Sequence, residues 1–189
     1  MCSIRDYEPE TLPAVMTFPA EEFEVFVRNY QDMVYTTALR LLKDPAEAQD
    51  MAQEAFLKAF DRFEDLKDSP TAGGWLKTVT RNLALNHLER HRNRYKLFSE
   101  FATEDGEPDW ADPAQPGADA ELYERAGTEE LELALAALPD AKRIPLVLFH
   151  YHDLSYEAIA AKLGASAAKI KTDIFRAREA LRRQLTEQK

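Results

Sequence analysis

The chain has a single cysteine, Cys2, in 189 residues. No internal disulfide can form, and a cysteine-based zinc cluster is excluded. Such usage fits a reducing compartment. No apolar run approaches the roughly 18 residues that a membrane-spanning helix needs. The first residues carry neither a basic n-region nor an apolar h-region, so no signal peptide is expected. There is no strand-like alternation bounded by turn signals, no internal repeat and no phosphate-binding loop. No nucleophile–base pair and no pair of carboxylates with a credible pocket is present. These absences predict a soluble, cytoplasmic, all-α protein that is not an enzyme and needs no cofactor. His87 and His91 have a metal-like helical spacing, but no third ligand is evident, so no metal site is expected.

What the chain does have is unevenly distributed charge. The net charge is −10, and residues 95–127 alone supply −7 of it. Two helical stretches are basic instead. Lys77, Arg81, Arg90, Arg92 and Arg94 stand against Glu89 in the first, and residues 162–183 carry seven basic side chains against Asp173 and Glu179. Phosphates respond to such local patches rather than to the overall charge.

Helical periodicity organises most of the chain. Residues 1–20 read as a loose arm with acids and prolines. Pro19, Ala20, Glu21 and Glu22 open a first helix, with acids in its first turn. Phe23, Phe26, Val27, Tyr30, Val34, Ala38 and Leu41 continue it to about residue 43. Asp44 is a good cap and Pro45 suits the first position of a second helix, which the pattern extends to residue 63. Ala52, Ala55, Phe56, Ala59, Phe60 and Phe63 form its apolar face. Asp50, Gln53, Glu54 and Leu57 share a neighbouring face. Residues 67–74 read as a loop broken by Pro70, Gly73 and Gly74. A third helix is predicted over 75–93, with Trp75, Leu76, Val79 and Leu83 inward and Asn82, Asn86, Glu89, Arg90 and Asn93 on another face. Residues 95–127, rich in acids, proline and glycine, read as a flexible linker. Periodicity then returns over Leu131, Leu133, Leu135 and Leu138, and again over 144–149.

The C-terminal stretch 154–172 is the most specific. Ser155 starts a capping pattern, Ile159, Ala160 and Leu163 form an apolar stripe, and Gly164 follows where a left-handed residue is needed. Ile170 and Ile174 give a second helix its buried face. Lys169, Lys171, Thr172, Arg176 and Arg178 remain for the outer face. A basic helix held across a short turn from a support helix is the geometry that enters a DNA major groove. The architecture expected is two small helical domains, a helical bundle over 21–94 and a helix-turn-helix domain over 128–189, joined by the acidic linker.

Three blocks together resemble the extracytoplasmic-function (group 4) sigma factors of bacteria. Residues 44–56, with Asp50, Gln53 and Glu54, resemble the family's polymerase-binding block. Residues 75–88, with Arg81, Asn82 and Asn86, resemble its helix at the promoter −10 element. Residues 138–178 resemble the domain that reads the −35 element. The resemblance implies a dissociable sigma factor that binds core RNA polymerase and directs promoter recognition, melting and transcription initiation. It implies that Asp50, Gln53, Glu54 and Leu57 contact polymerase. Lys77, Arg81, Asn82, Asn86, Arg90 and Arg92 would serve the −10 element, with loop 67–74 pocketing a flipped base. Ser166, Lys169, Lys171, Thr172, Asp173, Arg176 and Arg178 would serve the −35 element. Asp173 stands where many members carry a basic residue, and Ala168 and Lys169 replace the usual Gly-Thr. The expected partners are core polymerase, duplex promoter DNA with its melted −10 strand, and an anti-sigma factor. Two alternatives stay open. A sigma-like decoy would bind an anti-sigma factor without directing transcription, and a dimeric helix-turn-helix repressor would bind palindromic sites.

Overall fold

The computed structural model describes residues 20–95 and 128–187, so the N-terminal arm and the acidic linker lie outside the described residues. Among the described residues every regular element is a helix: α1 (Ala20–Leu42), α2 (Pro45–Phe60), α3 (Phe63–Leu66), α4 (Ala72–Tyr95), α5 (Thr128–Ala137), α6 (Asp140–His152), α7 (Tyr156–Leu163) and α8 (Ala167–Glu187).

The junctions follow local chemistry. Asp44 caps α2 by accepting from Ala46 N at 2.8 Å and Glu47 N at 3.1 Å, with Pro45 in the first turn. Two expectations need correcting. The second helix stops at Phe60, and the chain turns before the short α3. Residues 67–74 are not all loop, because α4 begins at Ala72 and takes Gly73 and Gly74 into its first turn. Gly73 is a packing residue: a Cβ there would lie 3.1 Å from Tyr30 Cε1. Removing that carbon lets α4 start close against α1, which outweighs glycine's poor helix propensity.

α1, α2, α3 and the first half of α4 enclose an apolar core. Phe63 meets the rings of Phe23 and Phe26 edge-on at 5.1 and 5.6 Å, an arrangement that aligns ring edges with ring faces. Val34, Ala55, Ala59 and Leu76 are fully buried around them. In the C-terminal half, Leu135, Leu138, Ile144, Leu148, Ile159, Ile170, Ile174 and Leu181 form a second core.

That second core does not stop at the C-terminal helices. Ala38, Leu41, Leu42, Ala48 and Ala84 belong to it, so the end of α1 is packed from both sides. Arg143 of α6, 1% exposed, locks this junction. Its Nε donates to Arg40 O at 2.9 Å and its Nη2 to Leu41 O at 3.0 Å, while Nη1 pairs with Asp140 Oδ1 at 2.8 Å. The last carbonyls of any helix lack intrahelical donors and carry its negative dipole end, so a guanidinium is well matched to them. Arg40 in turn pairs with Glu132 and lies 3.9 Å above the Tyr151 ring. Lys43, left-handed at φ 64°, donates to Leu138 O.

Candidate functional site

α2 buries a stripe of alanines, Ala48, Ala52, Ala55 and Ala59, and thereby turns a different face outward. Asp50 and Gln53 are exposed on it, and Glu54 is half-buried within 3.7 Å of Lys58 Nζ. Leu57 is 66% exposed. An isolated exposed leucine is unremarkable, but this one sits in register with three polar acceptors one turn apart. The surface combines acceptors for basic or amide donors with one apolar anchor.

α4 presents the second group. Asn82, Asn86 and Arg90 are exposed, while Lys77 and Arg81 are half-buried; the Arg92 side chain lies outside the described residues. Trp75 is partly buried against the N-terminal core, as a packing residue would be. Lys77 and Arg81 face the end of α6. There His152 is 8% exposed, and its pKa is pulled down to about 3, chiefly by burial and then by the charges of Arg81, Lys77 and Arg40. Asn82, Asn86 and Glu89 line a cleft whose opposite wall is Ala161, Lys162, Leu163 and Gly164 of the C-terminal half. In this arrangement the amide-bearing face of α4 is partly covered.

α7 and α8 form the helix-turn-helix. Ser155 accepts from Ala158 N at 3.2 Å, Gly164 adopts φ 66°, and Ser166 accepts from Lys169 N at 3.2 Å to start α8. Ile159, Ala160, Leu163, Ile170 and Ile174 close the angle between the helices. Ser166 and Arg176 are exposed; Lys169, Lys171 and Thr172 are half-buried, and Thr172 Oγ1 donates back to Ala168 O at 3.0 Å.

Two residues expected outside on α8 are inside. Asp173 is 6% exposed and 3.5 Å from Lys169 Nζ. Burial pushes its carboxyl above the usual carboxylate range, opposed by Lys169, Arg176 and Lys142. Arg178 is 7% exposed, donates through Nε to His150 Nε2 at 3.1 Å and lies 5.4 Å from the Phe149 ring. Both sit on the side of α8 turned toward α6. Charge alone does not tell which face of a long helix another helix covers, so the basic character of Arg178 points outward while packing turns it inward.

Sequence reasoning also missed a side chain beside the paired histidines. Glu47 Oε1, at the start of α2, lies 3.1 Å from His87 Nε2. A third ligand type is therefore present, forty positions away in the chain and invisible to spacing.

Comparison with known proteins shows the family of the chain. Sigma-70 region 2 matches residues 26–94, and sigma-70 region 4 matches residues 128–181. The RNA polymerase sigma-H factor of Pseudomonas aeruginosa is 35% identical over 164 residues, covering 84% of this chain and 83% of that protein. The chain belongs to the ECF sigma factor family. The ECF sigma factor SigW of Bacillus subtilis is 32% identical, covering 87% of this chain and 89% of its own length. The sigma-E factor of Streptomyces coelicolor is 33% identical, covering 87% and 86%. This protein is accordingly an alternative sigma factor, built from a region 2 bundle and a region 4 helix-turn-helix. Among the described residues no helix is long and apolar enough to cross a membrane.

Proposed function

We propose that this sigma factor docks on core RNA polymerase through Asp50, Gln53, Glu54 and Leu57 of α2. The observation that carries this is the exposure of Leu57 at 66% beside those polar side chains, on a helix whose other face is fully packed. The −10 element is met by α4 through Asn82 and Asn86, with Lys77, Arg81, Arg90 and Arg92 on phosphates. The −35 element is met by the exposed start of α8, with Ser166, Lys169, Lys171, Thr172 and Arg176 toward the groove. Asp173, tucked beside Lys169, does not add a carboxylate to that surface and acts instead by holding Lys169; Arg178 holds α8 to α6. The protein works in the cytoplasm, is not itself a catalyst, and is restrained by an anti-sigma factor until released.

Because Asn82 and Asn86 share a cleft with the end of α7, this arrangement is a closed one. Engaging promoter DNA along α4 requires regions 2 and 4 to separate. Polymerase supplies the energy by binding the open form better than the closed one.

The test is capture of core polymerase by the full chain and by Leu57→Ala and Asp50→Ala variants, followed by run-off transcription from the promoter upstream of its own gene. Capture by the parent, weakened in both variants, with a discrete parent transcript is the expected result. Equal capture by all three would refute the α2 surface. Capture without any transcript would point to the decoy.

A further inference from the structure

Glu47, His87 and His91 converge where the first turn of α2 meets α4. One ligand atom from each lies within 4.8 Å of the other two. The two imidazole rings are 4.2 Å apart, centre to centre, with planes inclined at 31°. Glu47 Oε1 is 3.1 Å from His87 Nε2, yet that nitrogen is shielded from solvent and, among the described residues, meets no partner in hydrogen-bond geometry. Glu47 occupies the third position after the Asp44 cap. In a capping box its carboxylate would turn back toward the cap's own N–H; instead it reaches across to the histidine of another helix.

We propose that Glu47, His87 and His91 bind one divalent transition cation of the zinc type. Two imidazoles and a carboxylate suit Zn2+ and leave a fourth position for water. Ligand atoms around a tetrahedral Zn2+ stand roughly 3.3 Å apart, given bonds near 2.0–2.1 Å. The present separations, all within 4.8 Å, leave about 1.5 Å or less for side-chain rotation to close. The two histidines are one turn apart on α4, so both project to the same side. A bound ion ties the start of α2 to the later turns of α4. It therefore couples the helix carrying Asp50 and Gln53 to the helix carrying Asn86 and Arg90, and fixes the rotation of α4 about its own axis. None of the three ligands belongs to the proposed polymerase or promoter surfaces, so the ion's role is bracing.

The experiment is titration of the full chain with Zn2+ by calorimetry, in a Cys2→Ser background that removes the only thiol. Co2+ substitution reports tetrahedral geometry by visible absorption. The parent should bind one equivalent and gain thermal stability on binding. His91→Ala and Glu47→Gln should each weaken binding by at least ~100-fold and lose the thermal gain. Circular dichroism verifies that the variants fold, with His91→Gln replacing His91→Ala if the latter does not. Absence of binding by the parent, or parent-like affinity in either variant, would overturn the three-ligand site. Retained binding in Glu47→Gln alone would mean that a histidine pair suffices and the carboxylate is only an ion-pair partner.

Discussion

Replacing Arg143 with methionine tests whether the closed arrangement rests on one side chain. Methionine keeps much of the buried stem and removes every donor. The two bonds at stake run from region 4 to Arg40 O and Leu41 O at the end of α1. Charge-assisted hydrogen bonds contribute about 1.5–3 kcal/mol each. Taking the lower figure, the closed form loses about 3 kcal/mol, or roughly a hundredfold in the closed–open equilibrium. Asp140 is half exposed and loses its Arg143 partner too, but water and Lys43 Nζ at 3.5 Å compensate it. Fluorophores at the exposed positions of Lys58 and Arg183, in the Cys2→Ser background, report the separation of α2 and α8. The variant should show a longer and broader distance distribution, with the helical content of each half retained. Arg143→Lys should fall between, since one ammonium cannot reach both carbonyls in a fork. An unchanged distance distribution together with an unchanged urea midpoint would refute the reasoning.

Three further outcomes are expected. His152 is buried neutral with its pKa near 3 against 6.5 when free; its contribution is complete above pH 6.5 and is lost as pH falls from there toward 3. Urea midpoints should therefore decline over that window in the parent and decline less in His152→Asn. Asp44→Ala removes acceptors for two backbone N–H groups of α2 and should cost ~1 kcal/mol in urea unfolding, with Asp44→Ser largely restoring it. Gly164→Ala meets no steric neighbour among the described residues but holds φ 66°, so it should cost about 1–2 kcal/mol; a neutral result would show that the turn relaxes.

Much of the fold was legible because its signals are local. Asp44, Ser155 and Gly164 each act on backbone groups within a few residues, and each sits where its chemistry predicts. The alanine stripe of α2 and the isoleucines of α8 show their buried faces by spacing alone. The glycines at 73 and 74 suggest a break, their usual local meaning, whereas Gly73 answers a long-range need to clear Tyr30. The polar faces of α2 and α4 were legible as faces, but how far region 4 covers α4 was not.

The sequence by itself determined most of the helices, the caps at Asp44 and Ser155, the helix-turn-helix and the uneven charge, since each depends on neighbours within a turn or two; the end of α2, the short α3 and the start of α4 it did not. Only the tertiary structure decided that Arg143 closes the end of α1, that Asp173 and Arg178 turn inward, and that Glu47 joins His87 and His91. Those contacts join residues 28 to 103 positions apart, apart from the pairing of Asp173 with Lys169 on its own helix. Such partners are chosen by how helices pack, and helical periodicity says which residues share a face without saying what that face will meet.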